Sequence, residues 1–204
     1  MFYKKYGKRA CDIALSIIGL PVFALIGIPT AIAIKIEDRG PVFYNALRLG
    51  KDEKIFKMYK FRSMKVNAPD LRNNDGSTFN AENDPRLTKV GKFIRKTSID
   101  ETPQLFNILK GEMSFIGPRP DLPEHLKQYE GNEKRKLEIK PGISGYSQAY
   151  YRNSIEWKKR IKNDIDYIDN LTFLLDLKIL VKTIQIIFKK ENVFIDGVQT
   201  LEKS

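Results

Sequence analysis

The sequence predicts an α+β fold, mainly helical: a basic N-terminus and membrane helix over residues 1–39, then a polar domain over 40–204 with a short β-hairpin and interfacial amphipathic helices. Three observations point there. Residues 13–34 are 22 positions without a charge, with Ser16 and Thr30 the only hydroxyl side chains among them. Residues 54–62 partly alternate charged and apolar side chains, the period of a half-exposed strand. Residues 171–190 place Lys178, Lys182, Gln185 and Lys189 on one helical stripe, with Leu, Ile, Val and Phe over most of the remaining surface.

Composition suits an ordered chain. Of 204 residues 42% are hydrophobic and 30% charged, enough for a core and against wholesale disorder. Lys and Arg number 36 against 25 Asp and Glu, a formal net charge of +11. That balance calls for an anionic partner: nucleic acid, a phospholipid surface or a phosphorylated substrate. Cys11 is the only cysteine and His125 the only histidine. An internal disulfide and Cys- or His-clustered zinc sites are thereby excluded, and little room is left for a Ser-His-Asp triad. Catalysis, if any, falls to carboxylates and cations.

As a straight helix the apolar run would be about 33 Å long against a hydrocarbon layer of about 30 Å, so one crossing is the simplest reading. A cleaved secretory signal fits less well, although Lys4, Lys5, Lys8 and Arg9 precede the run and Ala31-Ile32-Ala33 resembles a cleavage site. The run exceeds the usual apolar core of about 7–15 residues. Two features favour a helix that enters and returns to the same face. Residues 1–12 carry a net charge of +3, and Lys51, Lys54, Lys57, Lys60, Arg62 and Lys65 follow the run, so both flanks prefer the cytoplasmic side. Pro21 and Pro29 each remove a backbone donor, and a break at Pro21 leaves pieces of about 12 Å and 20 Å, both too short to span. Proline also occurs inside spanning helices. The residues alone leave crossing and re-entry open.

Beyond the run, Gly40-Pro41 marks a turn, Val42-Phe43-Tyr44 a first strand and 54–62 a second with a basic face. Residues 67–86, rich in Asn, Asp and Pro, read as a loop. Residues 105–109 continue a short amphipathic helix that Gly111 can end. Gly117-Pro118-Arg119-Pro120 is a rigid turn displaying one guanidinium. Residues 122–137 read as a charged helix, 140–145 as a turn and 155–169 as another helix. The helix at 171–190 suits either a surface packed on the core or the lipid interface, with its lysines near phosphates.

The densest chemical cluster is Arg95-Lys96-Thr97-Ser98-Ile99-Asp100-Glu101-Thr102-Pro103-Gln104. Ser98 and Glu101 match the spacing of a capping box, and Thr102 before Pro103 offers an alternative cap. The same cluster can carry chemistry. A carboxylate at a helix start beside Arg95 and Lys96 is expected to be held ionised, which suits Asp100 as a nucleophile or magnesium ligand. Neighbours on a helix do not face each other, so Asp100 and Glu101 take different roles rather than those of a glycosidase pair. Lys60, Arg62, Arg86, Arg95 and Arg119 are cations in ordered-looking strands and turns, and any one of them is equally readable as a solvated surface charge. Arg119, between two prolines, is best prepared to grip phosphate oxygens with two parallel hydrogen bonds. P-loop, dinucleotide and zinc motifs are absent.

These strings resemble the bacterial sugar transferases, the monotopic phosphoglycosyl transferases. The matching segments are Lys60-Phe61-Arg62-Ser63-Met64, Asn83-Asp84-Pro85-Arg86-Leu87-Thr88, Arg95 through Asp100-Glu101 to Asn107, and Lys110-Gly111-Glu112-Met113-Ser114. They continue with Gly117-Pro118-Arg119-Pro120 and Pro141-Gly142-Ile143-Ser144-Gly145. The resemblance implies transfer of a phosphosugar from a UDP-sugar to a polyprenyl phosphate, such as undecaprenyl phosphate, with release of UMP. It implies Asp100 as the nucleophile of a covalent phosphosugar intermediate and as a ligand of Mg2+, with Glu101 completing an acidic dyad. Lys60, Arg62, Arg86, Arg95 and Arg119 become substrate-binding candidates. It further implies a re-entrant membrane helix kinked at Pro21, Pro29 or both, and a catalytic domain on the cytoplasmic face of the bacterial inner membrane. Partners are then the donor, the lipid acceptor, membrane lipid and a second copy in a homodimer, but not nucleic acid.

The sequence departs from the family in places. Ala24-Leu25 stand where small members break the membrane helix at Ser-Pro, Ala46 stands for the usual Gln, Tyr146 for Trp and Tyr151 for Gly. Two other functions fit parts of the sequence: a membrane-tethered binder of anions, and a glycosyltransferase that releases UDP.

Overall fold

In a computed structural model of the chain, residues 2–71, 79, 81, 83–152 and 154–189 are described. Parts of the loop expected at 67–86, and the tail after residue 189, lie outside the described residues.

The uncharged run forms the middle of one long helix. A π-helical turn at Tyr3–Gly7 leads into α1 (Lys8–Glu37), which continues through both Pro21 and Pro29. Each proline withdraws one donor without ending the helix, so the expected break does not interrupt it. Ile17, Ile18, Val22, Leu25, Ile28 and Ile32 are exposed. Among the described residues this is the one helix long and apolar enough to cross a membrane.

Polar side chains tie both ends of α1 to the rest of the protein. Near its start, Tyr3 Oη and Lys8 Nζ each donate to Asp176 Oδ2 at 2.6 Å, and Asp12 accepts from Ser114 Oγ and the Phe115 amide. Near its end, the Glu37 carboxylate accepts from the amides of Lys89 and Val90, and Asp38 accepts from Arg62 at 2.6 Å.

The hairpin is where alternation predicted it. β1 (Phe43–Leu49) pairs antiparallel with β2 (Ile55–Phe61), from Phe43 opposite Phe61 to Leu49 opposite Ile55. Its inward side chains Ala46, Phe56 and Met58 pack on Ile108 and Met113. α2 (Lys89–Lys96) is capped by Thr88, whose hydroxyl accepts from the Gly91 amide at 2.8 Å. α3 (Gln104–Lys110) ends at Gly111, whose φ of 84° glycine adopts without a Cβ clash, as its sequence suggests. Buried Asn107 clasps β2 by accepting from the Tyr59 amide and donating to the Lys57 carbonyl.

Two short strands, β3 (Ser114–Ile116) and β4 (Gly142–Ser144), form a parallel pair that the sequence reading did not include. Residues 122–137, expected as one charged α-helix, are two 3₁₀ helices, Pro123–Gln128 and Gly131–Glu138. Gly131, at φ 50°, stands between their turns, and Glu130 and Glu133 form a capping box for the second. α4 (Tyr146–Tyr151) and α5 (Trp157–Asp169) follow, the latter as expected. α6 (Phe173–Lys189) buries Ile179 with Ile116, Ala149, Tyr167 and Ile168, while Phe173, Leu174, Leu177, Val181 and Ile184 remain exposed. The fold class is therefore helical in the main with a short hairpin, plus one parallel strand pair.

Candidate active site

The site begins with a tight approach between α2 and the strand exit. Gly91 lies so close to the Ser63 carbonyl that an added Cβ would stand 1.8 Å from its oxygen, which only glycine permits. One helical turn later, Arg95 Nε donates to Ser63 Oγ at 3.0 Å. α2 then ends, and Ser98 takes the left-handed conformation, φ 57°, which turns the chain into the 3₁₀ turn Ile99–Glu101. The side chain of Ser98 caps nothing. The expected capping box is thus absent, and Glu101 reaches away from the helix start to accept from Lys60 Nζ at 2.7 Å.

Lys60 is near the end of β2, which Asn107 fixes through residues 57 and 59. Arg119 approaches the same carboxylate, Nη1 standing 3.8 Å from Glu101 Oε1. Its loop is clamped on both flanks. Gly117 donates to the Ser144 carbonyl, the Gly142 amide donates to the Pro118 carbonyl, and Leu49 donates to the Asp121 carbonyl. Arg119 is the partly exposed side chain of a rigid turn, as its two prolines suggested.

Asp100 is buried, 8% exposed, and among the described residues no side chain donates a hydrogen bond to it. Burial is the strongest influence on its carboxyl group and pushes it above the usual carboxylate range; Lys60 pulls it back, Glu101 pushes it further, and Arg95 and Arg119 pull back again. The sequence reading expected cations and a helix start to hold it ionised. Desolvation reverses that direction, because a charge taken from water is destabilised more than these neighbours compensate. Glu101 moves the other way. Burial alone would raise it, but Lys60 and Arg119 hold it well below the ordinary glutamate range.

Five of the seven residues proposed from sequence for chemistry and binding therefore meet in one place: Lys60, Arg95, Asp100, Glu101 and Arg119. Arg62 and Arg86 are used elsewhere. Arg62, 7% exposed, donates to Asp38 Oδ2, the Asp38 carbonyl and the carbonyls of Pro41 and Met64, joining the end of α1 to the end of β2. Arg86, 4% exposed, binds Asp84 through Nε and Nη2 and donates to the carbonyls of Pro69 and Phe79. Both guanidinia hold protein groups, so in this conformation neither presents a free fork to a substrate. Pro21 and Pro29 lie within α1, away from the acids in sequence. Sequence reasoning passed over Asp84, whose charge reaches Arg95 as well as Arg86; the short Asp84-Pro85-Arg86 spacing was its visible signal.

The long helix α1 meets this site through apolar contacts. Phe23 of α1 stacks on Phe61 with centroids 6.2 Å apart and meets Phe106 edge-on at 5.2 Å. Phe23 and Ala31 share a cluster with Ile34, Phe61, Ile94 and Ile99, the residue beside Asp100.

No group of three or more His, Cys, Asp or Glu side chains able to cage a metal occurs among the described residues. Magnesium usually takes one or two protein carboxylates and fills its shell with substrate phosphates and water. A carboxylate free of side-chain donors, Asp100, fits that mode. Glu101, already held by Lys60, fits it less well.

A sequence model described as bacterial sugar transferase matches residues 3–190. The uncharacterized sugar transferase EpsL of Bacillus subtilis (strain 168) is 41% identical over 186 residues, covering 91% of this chain and 89% of that protein. The galactosyl transferase CpsE of Streptococcus agalactiae serotype III (strain NEM316) is 40% identical over 197 residues, 91% of this chain but 44% of that protein. The UDP-glucose:undecaprenyl-phosphate glucose-1-phosphate transferase of Escherichia coli (strain K12) is 40% identical over 186 residues, 87% of this chain and 39% of that protein. The chain spans less than half the length of the latter two.

Proposed function

The chain belongs to the bacterial sugar transferase family, and from that membership and the geometry of the acidic pair we propose that it transfers a phosphosugar from a UDP-sugar to a polyprenyl phosphate, releasing UMP. The observation that carries this reading is the contrast within one turn. Glu101 is fixed by Lys60 and Arg119, while Asp100 is buried, unbonded by any side-chain donor among the described residues and faced by the same cations. A desolvated carboxylate whose proton affinity is raised is a stronger nucleophile than a solvated one, provided it is ionised.

In the first half-reaction an Asp100 oxygen bonds to the sugar-bearing phosphorus. The bond from that phosphorus to the bridging oxygen breaks, and UMP leaves with the electron pair. In the second, an oxygen of the lipid phosphate bonds to the same phosphorus, and Asp100 leaves as a free carboxylate. Lys60, Arg95 and Arg119 are the cations that oppose the negative charge gathering there. The two-step route lets the anionic substrates visit in turn. Asp100 would hold Mg2+, which when bound supplies charge neutralisation to the diphosphate. Arg62 and Arg86 act on this reading by holding the framework: Arg62 couples the membrane helix to the strand that carries Lys60.

We also read α1 as re-entrant, bent at Pro21, Pro29 or both without losing its helical conformation, with the acids at the cytoplasmic surface of a bacterial inner membrane and the products feeding surface glycan assembly. The support is that both ends of α1 are bonded to the same polar domain: Lys8 and Asp12 at one end, Glu37 and Asp38 at the other. A helix with its ends on opposite sides of a bilayer would not return both to one water-soluble domain. The exposed apolar side chains of α6 fit the same surface.

The test is mass spectrometry of protein mixed with a UDP-sugar in the absence of lipid acceptor. A hexosyl-phosphate adduct on Asp100, absent in Asp100→Asn, is expected, together with UMP. An adduct on another side chain, or UDP as the nucleotide product, overturns the proposal.

A further inference from the structure

The loop that carries Arg119 runs on into Asp121, whose buried carboxylate is fully engaged. Its Oδ2 accepts from the Tyr129 hydroxyl at 2.7 Å and from Lys136 Nζ at 2.5 Å, and its Oδ1 accepts from the Trp157 indole at 3.2 Å. The second acid of this region, Asp164, lies 3.2 Å from the same lysine. Arg160 stands on α5 one turn after Trp157, whose indole bonds Asp121, and it feels the charges of both acids and of Arg119. Its Nε is closed off from water and finds no hydrogen-bond partner among the described residues. Among the described residues no ion pair or side-chain hydrogen bond engages its guanidinium.

A guanidinium in that position is unfavourable. Burial works against its charge, Asp121 and Asp164 favour it without bonding it, and Arg119 acts on it as a like charge. Two repelling guanidinia are reconciled by an anion that both can bind, and phosphate oxygens match the planar fork of each. We propose that Arg119 and Arg160 together form a phosphate subsite, and that it takes the uridine-side phosphate of the donor, which leaves as UMP; this rests on the transferase reading above.

Two phosphates could in principle use such a pair, the nucleotide's and the lipid's. Position favours the nucleotide. Ile161, beside Arg160, is buried with Leu49, Tyr129 and Leu137, whereas α1 packs into a different cluster with Phe61, Ile94 and Ile99. Arg160 thus borders a cluster in which no residue of α1 takes part. Holding that phosphate would stabilise the negative charge that develops on UMP as the bond to the sugar-bearing phosphorus breaks.

Equilibrium binding of UMP and of uridine to the full chain in detergent, without turnover, tests this directly. Arg160→Gln is expected to weaken UMP binding about tenfold or more and leave uridine unchanged, because a lost charge-assisted contact of this kind is worth about 1.5–3 kcal/mol. In turnover, KM for the UDP-sugar is expected to rise while KM for polyprenyl phosphate stays put. UMP affinity equal to the wild type, or a rise confined to the lipid KM, overturns the subsite. Should Arg160→Gln fail to fold, Arg160→Lys keeps the charge and loses the fork. A severalfold loss of UMP affinity there supports the pair, and unchanged affinity overturns it. If the wild type forms the Asp100 adduct and Arg160→Gln binds UMP normally, only the subsite fails. If the wild type neither binds UMP nor forms an adduct, the transferase reading fails with it.

Discussion

Two lysines in this protein each serve a pair of acids. Lys136 lies between Asp121 and Asp164, and Lys60 binds Glu101 beside Asp100. The electrostatic pattern is the same in both: Asp121 and Glu101 are held down by their lysines, while burial pushes Asp164 and Asp100 up. The surroundings differ. The Lys136 side chain is 1% exposed, and Tyr129 and Trp157 complete the hydrogen bonding of Asp121. Lys60 is 18% exposed, Arg119 is more open still, and among the described residues no side chain completes the hydrogen bonding of Asp100. A split acid pair is therefore not a reactive site in itself. An acid without donors, with accessible cations around it, is what separates the second pair from the first.

The sharpest way to break that contrast is to neutralise the raised acid of each pair. Asp100→Asn is expected to reduce UMP release by about 10⁴-fold or more, since a covalent nucleophile has no substitute. Asp164→Asn, which removes a carboxylate already inclined to hold its proton, is expected to stay within about threefold of wild-type turnover, since it removes nothing that meets the reacting atoms. Equal losses in the two variants would mean that Asp100 is structural too.

The lysines sharpen the same comparison on stability. Lys136→Met leaves a sealed acid pair without its cation and is expected to cost about 3–5 kcal/mol, as breaking a buried ion pair does. Lys60→Met removes a half-open pair, for which about 1 kcal/mol is the scale. Its larger effect belongs to catalysis, about 10- to 100-fold in rate, through a misplaced Glu101 and a lost cation. Melting curves beside turnover rates separate the two. If Lys136→Met melts like the wild type, the interior pair is not the structural counterpart described here.

The contrast also explains what could be read from the residues in advance. The apolar run, the hairpin, the glycine stop at Gly111 and the helices on either side of residue 170 follow from local period and punctuation, and all are present. The parallel pair β3 and β4 has three residues per strand, 28 positions apart, too short for any period to show. Ser98 and Glu101 had capping spacing, but a left-handed Ser98 and a lysine 41 residues away decided the matter. Arg62 and Arg86 looked like open cations because Asp38, the Pro41 carbonyl and Asp84 take them only once the chain is folded. The direction of the Asp100 shift was misread for the same reason. Sequence displays charges, and burial, the strongest influence on this group, is tertiary.

The smallest effect tests that last point most directly. Because Asp100 is shifted upward, the folded chain binds more protons than the unfolded one between the ordinary aspartate range and the raised value. Stability contributed by this group therefore falls as pH rises through that window. Near neutral pH the folded wild type carries a charge that its surroundings disfavour, and Asp100→Asn does not. The variant is expected to be more stable there by on the order of 1 kcal/mol, with the difference closing as pH drops below about 4 and the wild-type acid is protonated in both states. Glu101 has the opposite sign. Its lowered value supplies stability above the ordinary glutamate range that is lost as pH falls through the native value, so Glu101→Gln is expected to be the less stable variant at neutral pH. Melting temperatures of the two variants across pH should thus diverge in opposite directions from the wild type. Were both to fall below it by the same amount at every pH, the two acids would be equivalent packing groups, and the division of labour between nucleophile and anchor would have no physical basis.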